Sequence, residues 1–451
     1  MVVGFVLRAL FVWRHPTFAG DALVYGELAH HMLKEHVYGL IDYGVAAGVL
    51  KPTLIRLPGY PLFLAACFKL FGDGNFLSVL WVQVSVDLAT CALISGTVAR
   101  IGGRRAGIWA LWLAVLCPFT ANYAAVVVPE CLSMFCVALA LYGLARWVEA
   151  WKLRAAGMRW AALTGFALLD AVLLRPDQGL LAAAVIAAML WSVLRRKGHG
   201  RWATLEPVVI ASVIVVLPLS AWAVRNWRVF HVVQPISPKY ANDPGEEVPY
   251  GFMRWYRTWA VGFPSTVKVY WEYDGGVISV NDLPARAFDS AEQRVETAKL
   301  IARYNDESAS TPAVDAEFAR LAATRVRANP LRYYVELPMG RLLDMWFRPR
   351  IEYMKIPLDW WRLRAHPWAS IGAYAMGALN MLYLALACVG FWRWPRAGVV
   401  VWSMVGFVAL RCALLLTIDN SEPRYTMECY PVVIMLAGMA IARILPESLR
   451  R

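Results

Sequence analysis

The sequence predicts an all-α polytopic membrane protein, and three observations carry that reading. Of 451 residues, 59% are hydrophobic and only 17% are charged, and the apolar residues gather in runs long enough to cross a bilayer. Soluble globular chains are about 45–50% apolar and about 25% charged. A mean hydropathy of +0.48 with 21 tryptophans excludes disordered, collagen-like and small disulfide-framework classes. At roughly 20 apolar residues per span, the chain holds about ten helices and a sizeable polar remainder.

The apolar runs fall at residues 75–99, 106–121, 128–148, 160–174, 178–194, 205–224, 367–392, 397–417 and 428–444. An opening run, 1–13, covers about 20 Å of a hydrocarbon core about 30 Å thick and carries Arg8. The expectation there is a truncated first helix or a start further upstream. A cleaved signal peptide fits less well, because no small-residue cleavage site follows.

The connectors alternate in charge. One set holds Arg100, Arg104, Arg105, Arg146, Lys152, Arg154, Arg159, Arg195, Arg196, Lys197, Arg201, Arg393, Arg396, Arg443, Arg450 and Arg451. Against these stand only Glu149, Glu206 and Glu447, so this face accounts for the whole net charge of +13. The positive-inside rule makes it cytoplasmic, and the basic balance reads as topology, with no nucleic-acid partner. The remaining connectors, 14–74, 122–127, 175–177, 225–366 and 418–427, are then external, in a plasma membrane. Three segments follow: a transmembrane module (1–224) with a first external loop (14–74), an external region (225–366) and C-terminal transmembrane helices (367–451). Eight cysteines, Cys67, Cys91, Cys117, Cys131, Cys136, Cys388, Cys412 and Cys429, lie scattered singly and read as apolar filler.

The external segments hold the unusual chemistry. Asp21 stands just past the first run, at the membrane–water boundary, before a stretch from Ala22 to Glu35 with Leu23, Leu28 and Met32 at helical spacing. Such a stretch suits a helix lying in the interface, and the bland role for Asp21 is to cap it. Glu27, His30 and His31 fall at i, i+3, i+4, which is metal-ligand spacing. A divalent metal there competes with a solvated polar face. Arg56-Leu-Pro-Gly-Tyr60-Pro sets a guanidinium on a rigid turn before a second amphipathic stretch to Phe71. Its plain alternative is an interfacial anchor with a snorkelling arginine.

Pro129-Glu130, Arg175-Pro-Asp177, Trp222 with Arg225 and Asn226, and Glu422-Pro-Arg424-Tyr425 all fall at the same outer boundary. Singly each is an interfacial charge. Together they gather arginines and carboxylates where the inner face has nothing comparable, so acid–base chemistry belongs outside. Within the runs, Asp87 has Gln83 one helical turn away and reads as a helix–helix pairing residue. Asp170 and Arg411, within two turns of the outer boundary, are candidates to buttress the outer site. Tyr250–Trp259 interleaves arginines with rings, which suits stacking on sugars or anchoring in the interface. Residues 284–329 read as helical and soluble, and Leu331–Phe347 as a further interface-lying helix.

These motifs, in this order, resemble the bacterial branch of the C-fold (GT-C) membrane glycosyltransferases, similar to dolichyl-phosphate-mannose protein mannosyltransferases and lipid A aminoarabinose transferases. The carrying residues are Asp21-x3-Tyr25, Arg56-x-Pro-Gly-Tyr60-Pro, Pro129-Glu130, Arg175-Pro-Asp177, Trp222-x2-Arg225-Asn226 and Glu422-Pro-Arg424-Tyr425. The resemblance implies a polyprenyl-phosphate sugar as donor and an external glycan, lipid or protein acceptor. It implies inversion at the anomeric carbon, a bacterial inner membrane, and Asp21 as the first-loop catalytic aspartate. Tyr25, Arg56, Tyr60, Glu130, Arg175, Asp177, Arg225, Asn226, Glu422, Arg424 and Tyr425 become the expected substrate contacts. Two departures stand out: the short first helix, and a single first-loop Asp where protein mannosyltransferases show an adjacent Asp-Glu pair.

The residues suit that chemistry independently. A lipid phosphate leaves without a general acid if guanidiniums stabilise its charge, and the acceptor hydroxyl needs a base. The competing class is a transporter or flippase of a lipid-linked glycan, which predicts internal repeats and polar groups near the bilayer midplane.

Overall fold

The computed structural model describes residues 1–42, 48–152, 157–195, 201–273, 275–307, 311–393 and 398–444. Of the residues behind the charge asymmetry, Arg154, Arg196, Lys197, Arg396, Glu447, Arg450 and Arg451 lie outside that set, as do the side chains of Lys152 and Arg201.

Helix α1 (Val2–Arg14) leads into the first loop, which is built of α2 (Asp21–Lys34), an antiparallel hairpin of β1 (Gly39–Asp42) and β2 (Val49–Pro52), and α3 (Gly59–Phe71). Both interfacial stretches expected from the sequence are helices. Ala22, Tyr25, Leu28 and Ala29 make the buried stripe of α2 at the i, i+3, i+4 spacing of one helix face. The hairpin was not legible in the sequence. Glu27 and His31 fasten it: Ile41 N–H donates to Glu27 Oε1 at 2.7 Å, and His31 Nδ1 lies 3.0 Å from the Gly39 carbonyl oxygen.

The bundle follows: α4 (Phe76–Gly102), α5 (Arg104–Leu116), α6 (Pro118–Tyr123), α7 (Glu130–Lys152), α8 (Met158–Leu174), α9 (Gly179–Leu194) and α10 (Arg201–Phe230). Among the described residues six helical segments are long and apolar enough to cross a membrane: 76–102, 130–151, 176–194, 205–230, 367–392 and 423–444. Three of the expected runs take other forms. The run 106–121 breaks at Cys117, where Pro118 cannot donate to the Ala114 carbonyl and holds its predecessor extended. The run 160–174 is the 17-residue α8, and the run 397–417 is the 17-residue helix Val399–Leu415.

Arg8 repairs that break. Its guanidinium donates to the Ala114 and Val115 carbonyls at 3.1 and 2.8 Å and to Asp87 Oδ2 at 2.6 Å, fully buried between α1, α4 and α5. Asp87 is a helix–helix pairing residue, as read, but its partner is Arg8. Gln83 turns the other way, accepting from Tyr60 and donating to the Val126 carbonyl. Removing one member of a buried pair strands the other charge, at a cost of about 3–5 kcal/mol. Asp87→Ala is therefore expected to lower the thermal midpoint in detergent more than Arg8→Met with Asp87→Leu combined. A double variant at least as unstable as the single one counts against the pairing.

Residues 225–366 hold α11 (Tyr250–Arg257), the single turn α12 (Phe263–Ser265), α13 (Ala291–Glu307), α14 (Pro312–Ala328) and α15 (Leu337–Phe347). The helices expected in 284–329 and 331–347 are present. The interleaved rings of 250–259 have another role than the one predicted. Phe252, Trp255, Tyr256 and Trp259 are buried and pack with Phe318 and Tyr304 into a second hydrophobic core. Asp315 of α14 accepts from the Gly251 and Phe252 N–H groups at 2.9 and 2.8 Å, pinning the start of α11. The chain returns through α16 (Pro367–Trp392), α17 (Val399–Leu415), a 3₁₀ segment (Pro423–Cys429) and α18 (Tyr430–Ile444). The starts of α7, α9 and α18 and the ends of α8, α10 and α17 lie at one end of the bundle.

Candidate functional site

At that end, seven separated stretches meet around a cavity of about 420 Å³. Gly20 adopts φ 63°, a backbone that favours glycine, and so delivers Asp21 to the first turn of α2. Asp21 does not cap its helix. Its Oδ1 accepts from Arg56 Nη2 at 3.1 Å and its Oδ2 from Arg424 Nη1 at 2.7 Å. Burial alone would raise this carboxyl. The guanidiniums of Arg424 and then Arg56 overcome burial and hold it well below the ordinary carboxylate range.

Arg56 reaches Asp21 because its turn docks on α8. A Cβ on Gly59 would stand 2.7 Å from the Leu173 carbonyl oxygen, so only glycine permits the approach. The same contact sets the turn beside Arg175, which follows α8. Arg175 pairs with Glu130 at 2.6 Å, with Asp177 at 3.0 Å and with Glu428 at 2.9 Å. Arg411, fully buried, joins Asp177 and Glu428 at 2.8 Å each. Arg424 Nε donates to Glu422, whose other oxygen accepts from Asn420 at 2.8 Å and from the Tyr425 hydroxyl at 3.0 Å. Lys239 and Arg257 close one side on Asp419 at 3.1 and 3.3 Å. These groups balance: six cations, Arg56, Arg175, Arg257, Arg411, Arg424 and Lys239, face six carboxylates, Asp21, Glu130, Asp177, Asp419, Glu422 and Glu428.

Of the residues expected to touch substrate, Asp21, Tyr25, Arg56, Glu130, Arg175, Asp177, Glu422, Arg424 and Tyr425 line this cavity. Burial pushes the Tyr25 hydroxyl up to about 12, so it stays protonated as a donor. Three others do not line it. Tyr60 is buried behind Tyr25, ring against ring at 5.0 Å, and donates to Gln83. Arg225 donates to the Thr53 and Tyr38 carbonyls at 2.9 and 3.1 Å, and Asn226 to the Gln234 carbonyl at 2.7 Å. Arg225 thereby fastens the ends of the hairpin to α10, and Asn226 ties down the chain just past α10, packing roles their position at a helix end gave no means to foresee.

Arg411 buttresses the site as proposed from sequence. Asp170 does not: it is exposed on the side of α8. Glu27, His30 and His31 are drawn apart, the first and last to the hairpin and His30 to Asp73 at 2.7 Å. Among the described residues no group of three or more His, Cys, Asp or Glu is placed to hold a metal ion.

Residues 51–222 match the family model of dolichyl-phosphate-mannose-protein mannosyltransferase. That match spans the Arg56 turn, Glu130, Arg175 and Asp177. Among solved structures, the Archaeoglobus fulgidus oligosaccharyltransferase tethered to an acceptor peptide superposes over 98% of this chain with a TM-score of 0.51 and 13% identity. The chain has the GT-C glycosyltransferase fold. It spans about half the length of that archaeal protein, 49%. The same archaeal enzyme with an inhibitory peptide and dolichol-phosphate is similar at a TM-score of 0.48 and 12% identity, covering 98% of this chain and 50% of that one. ArnT from Cupriavidus metallidurans bound to undecaprenyl phosphate is similar at 0.41 and 14%, covering 98% and 77%. No curated protein matches the sequence.

Sequence reasoning missed Lys239 and Asp419 on the cavity wall and two buried groups that this fold places behind it. Glu428 is fully buried between Arg175 and Arg411. The signal was there, a carboxylate opening an otherwise apolar run. Arg350, also buried, donates to the Pro423 carbonyl at 2.5 Å, Thr426 Oγ1 at 2.6 Å and the Tyr430 hydroxyl at 3.2 Å, and so sets the segment that carries Glu422 and Arg424. Nothing in its local sequence distinguishes it from other interfacial arginines.

Proposed function

We propose that this multi-pass membrane protein is an inverting glycosyltransferase that moves a sugar from a polyprenyl-phosphate donor to an acceptor hydroxyl on the external face of a bacterial inner membrane. Asp21 is the general base. The observation that carries the reading is Asp21 on the cavity wall, bridging Arg56 and Arg424.

In the apo state this carboxylate is a poor base, because two guanidiniums hold its charge. The balanced charge around the cavity means that an entering lipid phosphate gains a guanidinium only by drawing it from a carboxylate. Arg424 is suited to that exchange, since it joins Asp21 and Glu422 on one planar fork. Once Arg424 turns to the phosphate, Asp21 loses its nearer counter-ion and becomes basic enough to take the acceptor proton. The acceptor oxygen then bonds to the anomeric carbon as the bond from that carbon to the phosphate oxygen breaks. The electron pair leaves with polyprenyl phosphate, and the proton ends on Asp21. The donor's tail needs apolar surface beside the site. A groove of about 580 Å³ lined by Tyr334, Val335, Met339 and Leu416 shares Lys239 with the cavity.

The test is transfer itself. The wild-type protein in lipid nanodiscs, given labelled polyprenyl-phosphate sugars and the envelope fraction of a strain lacking the gene, is expected to release polyprenyl phosphate and label an envelope component. The new linkage is expected to have anomeric configuration opposite to the donor's. Absence of transfer from every donor overturns the reading, and retention overturns the inverting mechanism.

A further inference from the structure

Behind the Glu422–Arg424 segment lies a second, smaller chamber of about 240 Å³. Trp271, Glu422 and Arg424 line both it and the main cavity, so one residue's width separates it from Asp21. Its far wall carries Glu352, both of whose carboxylate oxygens are buried with no hydrogen-bond partner, and Tyr123, whose hydroxyl is likewise buried and unpartnered. Neither neighbouring guanidinium hydrogen-bonds this carboxylate: Arg350 directs its three nitrogens to Pro423, Thr426 and Tyr430, and Arg348 faces Asp344 at 3.8 Å. A buried carboxylate without partners costs free energy on the scale of several hydrogen bonds. Leaving it so makes sense where a ligand supplies the donors. Trp271, Phe263 and Leu358 offer apolar faces around it.

We propose that this chamber is a sugar-ring subsite in which Glu352 accepts hydrogen bonds from ring hydroxyls and the Tyr123 hydroxyl supplies a further polar contact. The inference rests on the glycosyl-transfer reading above and adds to it the place of one ring. The volume equals roughly eight waters at about 30 Å³ each, room for a single polyhydroxylated ring. Two substrates carry that chemistry, the donor's own sugar and the terminal sugar of a glycan acceptor.

Glu352→Gln and Tyr123→Phe in nanodiscs separate them. The probes are undecaprenyl-phosphate mannose, glucose and galactose, with sugarless undecaprenyl phosphate as the reference ligand. Loss of the charged acceptor in Glu352→Gln is expected to raise KM for one sugar-bearing substrate about 10–100-fold, with a smaller effect from Tyr123→Phe. Affinity for the sugarless lipid stays at the wild-type value. A donor KM that moves assigns the ring to the donor, and an acceptor KM that moves assigns it to the acceptor. Unchanged KM for both, or an equal loss of sugarless-lipid binding, overturns the subsite. If the wild-type protein turns over no donor, the transferase reading falls and the subsite is judged by binding alone. Free mannose, glucose or galactose should then stabilise wild type against heat more than Glu352→Gln, and equal stabilisation rejects it.

Discussion

Asp21→Asn lowers kcat by about 10²–10⁴, the usual contribution of a positioned base, while the protein still folds and still binds polyprenyl phosphate. Asparagine keeps the shape of the side chain and its single oxygen can still accept from Arg56 or Arg424, but it cannot take the acceptor proton. Single-turnover transfer of labelled sugar reads the loss directly. Wild-type turnover by this variant would falsify the base assignment. The pH profile supplies an independent reading. In the free protein Arg424 and Arg56 hold the Asp21 carboxyl below its ordinary range, so it stays ionised down to acid pH. The acidic limb of kcat/KM, which reports the free enzyme, is therefore expected at low pH. The limb of kcat reports the complex, where Arg424 has turned to the phosphate, and is expected at higher pH. Coincident limbs would argue against the exchange.

Arg424→Ala is expected to cost about 10²–10³ in kcat, the typical loss when one preorganised donor to a developing anion is removed. Arg424→Lys recovers little, because a point ammonium cannot bridge Asp21 and Glu422 as the planar fork does. Without its 2.7 Å partner, Asp21 also becomes easier to protonate, so the acidic limb of kcat/KM moves to higher pH in Arg424→Ala. That shift separates a role on Asp21 from general damage to the site, which would lower the rate and leave the limb in place.

Much of this was legible from residue order. The first interfacial helix was visible as Leu23, Leu28 and Met32 at helical spacing, and the site cluster as charges interrupting apolar runs, a pattern the bilayer makes expensive unless it serves a purpose. What was not legible had a common cause. Arg225 and Asn226 carry the same residue types as a binding site, yet Arg225 donates to main-chain carbonyls flanking a hairpin that no local pattern announced and Asn226 to the Gln234 carbonyl just past its own helix. The rings of 250–259 have the spacing of a surface stacking platform. They became core because α14 lies against them, a contact between residues more than sixty positions apart. Arg8 looked like a flaw in a short span until the Pro118 break supplied carbonyls for it to cap.

Apolar run length and the placement of lysine and arginine determined a multi-pass helical protein with its chemistry gathered at one boundary, because transfer into hydrocarbon is a local, additive property of each segment. Which arginine meets which carboxylate was decided only by the folded chain. Asp21 and Arg424 are 2.7 Å apart across some four hundred residues of sequence, and pairing energy depends on distances that no local pattern encodes.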